Sequence, residues 1–292
     1  MLTLVSPDPG ALPAAEAAVD QALARAGLAV KAHEPLGPGA VDIYLDGDLG
    51  EARKLALDAL AHHATDCAVQ EVALRRKRLL VADMDSTIIN VECLDELADF
   101  AGVKAKVAEI TERAMRGELE FEGALRERVG MLKGLSLDAL QQAYDERVRL
   151  NPGARTLVRT MAANGARCLL VSGGFTFFTS RVAEAAGFHA ARANTLIEAS
   201  GALTGQVGEP ILGREAKLAA LREEAAALGL PPHETLAVGD GANDLAMIEA
   251  AGLGVAYRAK PVVAAQADVR IDHADLTALL YIQGYAATEF RT

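Results

Sequence analysis

The 292-residue sequence contains no uninterrupted apolar run near the ~18 residues that a membrane-spanning helix needs, and no membrane partner is expected. Positive charge is also scarce. Lys and Arg number 29 against 40 Asp and Glu, a formal net charge of −11. Nucleic acids and anionic membranes both require a basic face, so neither is an expected partner. The imbalance says nothing against a small anionic substrate, because a few local cations suffice to hold one phosphate. Cysteine is sparse: Cys67, Cys93 and Cys168 lie far apart and form no C-x-x-C pair. Buried free thiols are expected rather than a disulfide framework or a zinc site. The six histidines show no H-x-x-x-H or H-E-x-x-H spacing and read as solvated or structural. A basic stretch followed by an apolar one is missing at the start, so no signal peptide is expected and a cytoplasmic location is. Internal repeats and low-complexity segments are absent as well.

What is present falls into two patterns. Up to about residue 72 the order is strand (2–5), helix (14–26), strand (28–34), strand (41–45), helix (51–62), strand (67–72). Pro35, Gly37, Pro38 and Gly39 separate the middle strands. This βαββαβ order predicts a small α+β ferredoxin-like domain over 1–74. The run Arg75-Arg76-Lys77-Arg78 then reads as a solvated linker.

From residue 79 the pattern changes. The apolar run 79–82 is of the kind buried on both faces of a parallel sheet. It ends at Asp83-Met84-Asp85-Ser86-Thr87. Only helices are expected from 93 to 149, and strand–helix alternation resumes after Asn151-Pro152-Gly153. The expected fold is therefore α/β: a doubly wound parallel sheet with an inserted helical cap, behind the N-terminal domain. The second domain would occupy 75–292, with its core at 75–91 and 151–292 and its cap at 92–150.

Ligands in open parallel sheets bind outside the carboxyl ends of the strands. Three expected strand ends carry polar clusters: Asp83 with Asp85, Ser172 with Gly173 and Gly174, and Asp240 with Asn243 and Asp244. Four carboxylates in one crevice repel one another unless a cation neutralises them. Oxygen donors without nearby His or Cys favour Mg2+ over zinc, and a hard divalent ion beside a phosphate binder suggests phosphoryl transfer. Lys217 and the Ser-Gly-Gly turn before a helix are the candidate phosphate grip. Each element has a plainer reading taken alone: a turn for Ser-Gly-Gly, a solvated helical lysine for Lys217, helix caps for Asp240 and Asp244, and a polar loop capping the next helix for Asp83-x-Asp85.

Together these stretches resemble the haloacid dehalogenase-like superfamily, and within it the phosphoserine phosphatases. The resemblance rests on DMDSTIINVECLDELA (83–98), AMRGELEFEGALRERVGMLKG (114–134), LVSGGF (170–175) and AVGDGANDLAMIEAAGLGVAYRAKP (237–261), with Lys217 before the last. It implies a Mg2+-dependent hydrolase that acts on the small phosphate monoester phosphoserine, the last step of serine biosynthesis, through an aspartyl phosphate. By the same resemblance Asp83 is the nucleophile and Asp85 the general acid and base. Asp83, the Asp85 carbonyl and Asp240 hold Mg2+, and Asp244 supports them. Ser172, Gly173, Lys217 and Asn243 contact the phosphate. Glu92 and Arg128 hold the ammonium and carboxylate of the substrate, and Met115 and Phe121 close over it. Ala124 stands where relatives often carry serine. The N-terminal domain is similar in layout to ACT-like domains, with amino-acid sensing or a structural role in a homodimer as its implied uses. Alternatives are a phosphotransferase using an acceptor alcohol such as homoserine, a phosphatase for another small ester, and a non-catalytic binder of phosphometabolites.

Overall fold

The computed structural model describes residues 1–73, 75–115 and 118–292, Met115 by its backbone only. The N-terminal module comprises β1 (Leu2–Val5), α1 (Leu12–Arg25), β2 (Ala29–Gly37), β3 (Ala40–Asp46), α2 (Leu49–Ala59) and β4 (Asp66–Val69). Its strands form an antiparallel sheet of order β2-β3-β1-β4, consistent with an ACT-like domain. Sequence reasoning ends the second strand before Pro35, but β2 runs through it to Gly37. The strand lies at the sheet edge with a register shift between Pro35 and Gly37, and edges and bulges are where a residue without an N–H is tolerated.

Alternation along β1 decides how the module is covered. Leu2 and Leu4 join Val19 and Leu23 of α1 and Ala52 and Ala56 of α2 in one core. Val5 points to the other face and joins the main core with Leu36, Ala40 and Ala68. Asp42, fully buried on β3, accepts from Thr3 Oγ1 at 2.6 Å and from Arg75 Nη1 at 2.6 Å. The basic run is therefore not a solvated linker. The Arg76 guanidinium lies 4.1 Å from the Tyr285 ring centroid and pairs with Glu289. Lys77 is buried and donates to the His233 carbonyl, and Arg78 pairs with Glu234. Each cation found its own acceptor in a chain rich in carboxylates, which composition alone does not reveal. His33 likewise pairs with Glu16 and Asp20.

The second pattern builds a six-stranded sheet of order β12-β11-β10-β5-β6-β7 from β5 (Leu79–Ala82), β6 (Arg167–Phe175), β7 (Ala190–Asn194), β10 (Thr235–Gly239), β11 (Leu253–Tyr257) and β12 (Val269–Ile271). Every pairing is parallel. The β5 run is buried on both faces. Leu80 and Ala82 pack with Leu157 and Met161 of α7 (Ala154–Ala163) on one side. Leu79 and Val81 pack on the other with Ala220 and Leu221 of α9 (Arg214–Ala227) and Met247 of α10 (Leu245–Ala250). The chain moves from β5 outward through β6 to β7, then returns to β10 on the opposite side. The resulting switch point opens at the carboxyl end of β5.

The helical block α3 (Cys93–Phe100), α4 (Lys104–Met115), α5 (Phe121–Gly130) and α6 (Leu137–Arg147) follows β5. A hairpin of β8 (Leu196–Ala199) and β9 (Ala202–Val207), turning at Ser200-Gly201, joins that block. Its Leu203 exchanges backbone bonds with Gly134 and Leu135. The β-rich stretch was legible in sequence, its docking on the cap was not. Helix α8 (Thr176–Ala186) follows β6, α11 (Pro261–Ala264) follows β11, and a buried α12 (Ala278–Ile282), not foreseen, packs against α7 and β1. Among the described residues no helix is long and apolar enough to cross a membrane. All three cysteines are free, Cys93 and Cys168 buried and Cys67 partly so.

Candidate active site

Asp83 follows the last residue of β5, and its N–H donates to the Val238 carbonyl of β10 at 3.0 Å. Its Oδ1 accepts from the Met84 N–H at 2.7 Å and lies 2.7 Å from Lys217 Nζ. Lys217, on the first turn of α9, is 2 % exposed, which removes the solvated-lysine reading. Its ammonium also lies 2.6 Å from Asp244 Oδ1. The other Asp244 oxygen accepts the N–H groups of Asp240, at 3.2 Å, and Gly241, at 3.0 Å. Asp244 does precede α10, but its carboxylate makes no cap there; it ties the loop after β10 to Lys217. A side chain at Gly239 would collide with that carboxylate, so glycine is what lets strand and aspartate meet.

The loop after Asp83 is held in an uncommon shape. Ser86 takes φ 55°, a left-handed conformation that costs a non-glycine residue free energy and persists only where neighbours enforce it. The enforcing contacts are named bonds. Asn151 Nδ2 donates to the carbonyls of Thr87 and Ile89, the Ser86 N–H donates to the Val91 carbonyl, and Ser86 Oγ donates to Glu92 Oε1 at 2.6 Å. Asp85 is thereby placed beside β6. Its Oδ2 accepts from Ser172 Oγ at 3.0 Å, and its Oδ1 accepts from the Cys93 N–H that starts α3, at 2.9 Å. The capping reading of Asp85 is thus partly right, and the same carboxylate still faces the crevice. Ser172 Oγ in turn accepts from the Gly174 N–H, and a Cβ on Gly174 would press on Asp85 Oδ2 and Ser172 Oγ at 3.0 Å each.

These groups open into a cavity of about 420 Å3 lined by Asp83, Asp85, Glu92, Arg128, Asp240 and Asn243. The backbone of Gly173 and Gly174 forms one wall, with Ser172, Lys217 and Asp244 buried beneath. Phe121 and Arg128 come from α5, and the Phe121 ring reaches over Gly173. Arg128 Nε donates to the Ala124 carbonyl at 3.3 Å, so Ala124 contributes its backbone here. The side chain of Met115 lies outside the described residues. Thr87 belongs to the acidic motif picked out from sequence but was given no role there, and Asp95, Thr111 and Lys260 were not singled out. Thr87 Oγ1 donates to Asp240 Oδ1 at 3.1 Å, and Asp95, Thr111 and Lys260 line the cavity. Thr87 sits at the fifth position of the acidic loop, a signal that was available; the other three carried none.

Burial sets the electrostatics. It pushes the Asp83 carboxyl well above its ordinary range, Asp244 and Asp85 push further, and Lys217 only partly opposes them. Burial likewise raises Asp85, against the N–H of Cys93 and the hydroxyl of Ser172. Asp240 rises from burial and from Asp244. Glu92 is pushed up to about 7 by burial and by Asp85. Burial would neutralise Lys217, but Asp83 and Asp244 hold it firmly protonated. Burial also lowers Arg128 from its usual value, against Asp95 and Glu92.

One ammonium cannot neutralise this many carboxylates. Oxygens of Asp83, Asp240 and Asp244 lie within 4.8 Å of one another, whereas two Mg–O bonds of about 2.1 Å span up to ~4.2 Å. Asp244 has both oxygens engaged. Oδ2 of Asp83 and of Asp240 have no hydrogen-bond partner among the described residues. An all-oxygen set with two open carboxylate oxygens fits a hard divalent cation.

Comparison with known proteins agrees with this geometry. The sequence profile of the haloacid dehalogenase-like hydrolases matches residues 80–249. A phosphoserine phosphatase of Polaromonas sp. is 48 % identical over 218 residues, covering 73 % of this chain and 92 % of that one. The crystal structure of a probable phosphoserine phosphatase from Vibrio cholerae superposes with a TM-score of 0.81 at 36 % identity, covering 99 % of this chain and 87 % of that chain. A phosphoserine phosphatase solved as a phospho-aspartyl intermediate analogue superposes with a TM-score of 0.65 at 39 % identity, covering 70 % of this chain and 98 % of that one.

Proposed function

The chain belongs to the haloacid dehalogenase-like hydrolases, and on that premise we propose that it hydrolyses O-phosphoserine to serine and phosphate through a phosphorylated Asp83. The observation that carries the substrate is the pairing of Glu92 and Arg128 in the cavity that Asp83 opens into. A phosphorylated amino acid presents an ammonium and a carboxylate beside its phosphate. A carboxylate and a guanidinium receive those two charges, the latter by a planar two-pronged contact. The relatives named as phosphoserine phosphatases support the same reading.

Asp83, Asp240 and the main-chain carbonyl of Asp85 would hold a divalent cation, with Mg2+ the ion that fits. When bound, it supplies positive charge against the crowded carboxylates and the phosphoryl oxygens. The chain's own groups do the rest. Lys217, Ser172 and the N–H groups around Gly173 and Gly174 orient the phosphoryl group toward Asp83, with Asn243 at the rim. A carboxylate oxygen of Asp83 bonds to phosphorus as the bond to the serine oxygen breaks. Asp85, whose hold on a proton burial strengthens, gives a proton to that leaving oxygen. Its carboxylate then takes a proton from water, whose oxygen attacks phosphorus and releases the Asp83 carboxylate and inorganic phosphate. Phe121 over Gly173 limits bulk water during the first step.

The test is a panel of phosphate esters assayed with Mg2+ and with chelator. Phosphoserine should be turned over with the highest kcat/KM, and chelator should abolish turnover. Comparable rates on phosphoglycolate or a sugar phosphate would remove the amino-acid assignment. Phosphate release that falls on adding homoserine, with a phosphorylated homoserine product, would mark a transferase instead.

A further inference from the structure

A second cavity, of about 360 Å3, opens on the seam between the N-terminal module and the sheet domain. Arg53 of α2 with His62 and His63 lines one side, and Arg270 of β12 with His273 lines the other. The acidic chain has concentrated two of its guanidiniums and three of its six imidazoles at one spot. The two carboxylates there do not cancel them evenly. Asp66 is buried and occupied, accepting the N–H groups of Asp272, His273 and Ala274. Asp272 is exposed, 3.8 Å from Arg270 Nε. Arg53 spends one N–H on the Ala267 carbonyl at 3.3 Å. A fork with five N–H donors keeps others for a ligand.

Thr65 is 6 % exposed, and its hydroxyl is buried with no hydrogen-bond partner. Such a group costs free energy unless something satisfies it. Two guanidiniums and three imidazoles around a volume of ligand size suit an oxyanion.

We propose that this seam is a second binding site, for a small molecule bearing a phosphate or carboxylate group, clasped between Arg53 and Arg270. Occupancy ties α2 to β12, beside the existing link in which Asp66 of β4 accepts the N–H groups of residues 272–274. The site is separate from the catalytic crevice, and it stands or falls without the phosphatase reading.

The histidines make it testable without confusion, because among the described residues none lines the Asp83 cavity. Imidazole resonances of the full-length protein in chelator are followed by NMR, each assigned by a His→Gln variant. Inorganic phosphate and malonate are titrated separately, against chloride at equal ionic strength. The expected result is saturable movement of His62, His63 and His273, half-complete by about 1 mM, with His33, His189 and His233 still. The better of the two probes identifies the anionic group. In Arg53→Gln/Arg270→Gln the midpoint should rise at least about tenfold. No saturable movement with either anion, equal movement with chloride, or an unchanged midpoint in the double variant each overturns the proposal.

Discussion

Lys217 Nζ lies 2.7 Å from Asp83 Oδ1 in a site where both side chains are less than a tenth exposed. The same ammonium also bonds Asp244. Lys217→Met should therefore do two things. It should lower kcat/KM at least about a hundredfold by removing a phosphate-facing charge. It should also destabilise the chelated protein by about 3 kcal/mol, because two buried carboxylates lose their counter-charge. Chemical denaturation with and without Mg2+ checks the second part, and the deficit should shrink when the cation is present.

Asp83→Asn removes the nucleophile and should leave less than about a hundredth of the wild-type rate. Its stability should change in the opposite sense from most active-site losses. Burial and Asp244 raise the folded-state affinity of Asp83 for a proton above its unfolded value. Such a group's contribution is complete below the unfolded value near 3.8 and is lost as pH rises toward the raised folded value. Thermal melts in chelator should show wild-type stability falling from about pH 4 upward. The variant should show a shallower fall and a higher melting temperature at neutral pH.

Glu92 titrates at about 7 in the cation-free protein, so its carboxylate form grows as pH rises through that value. A cation held by Asp83 and Asp240 would stabilise the carboxylate and shift the curve to lower pH. Side-chain carboxyl 13C shifts recorded with Mg2+ and with chelator should give two separated curves, the Mg2+ curve lying acidic of the other. With Glu92→Gln, KM for phosphoserine should rise several-fold, and the change should be largest at alkaline pH.

Arg128→Ala should reduce kcat/KM for phosphoserine by about a hundredfold, the scale of a lost charged bidentate contact. Turnover of an aryl phosphate, which has no carboxylate, should fall by less than about fivefold. Equal losses on both substrates would remove Arg128 from the carboxylate role. Thr87→Val takes away the hydroxyl that orients Asp240. It should weaken Mg2+ activation by about fivefold, as one lost hydrogen bond of ~1 kcal/mol implies, and excess Mg2+ should restore kcat.

Arg75 pairs with a fully buried Asp42, whereas Arg76 is 47 % exposed beside Glu289. Arg75→Ala should cost about 3 kcal/mol of unfolding free energy by stranding Asp42. Arg76→Ala should cost about 1 kcal/mol or less. Denaturant titrations on both variants check the contrast.

By itself the sequence determined the parallel sheet, because its strands alternate with helices and an apolar run such as Leu79–Ala82 suits a strand covered on both faces. It also placed Asp83 and Asp240 just past the ends of their strands, but it ended the strand before Ser172, whereas β6 runs on through Ser172 to Phe175 with an irregular register there. Chain order could not say that the β8–β9 hairpin docks on the helical block. Nor could it say that Arg75 is a buried partner of Asp42 or that Arg53 and Arg270 face one cavity. Those pairings join residues far apart in the chain, and each depends on which groups come to share a low-dielectric space. The tertiary structure alone decided them, along with the burial that holds Lys217 charged while raising Asp83 and Glu92.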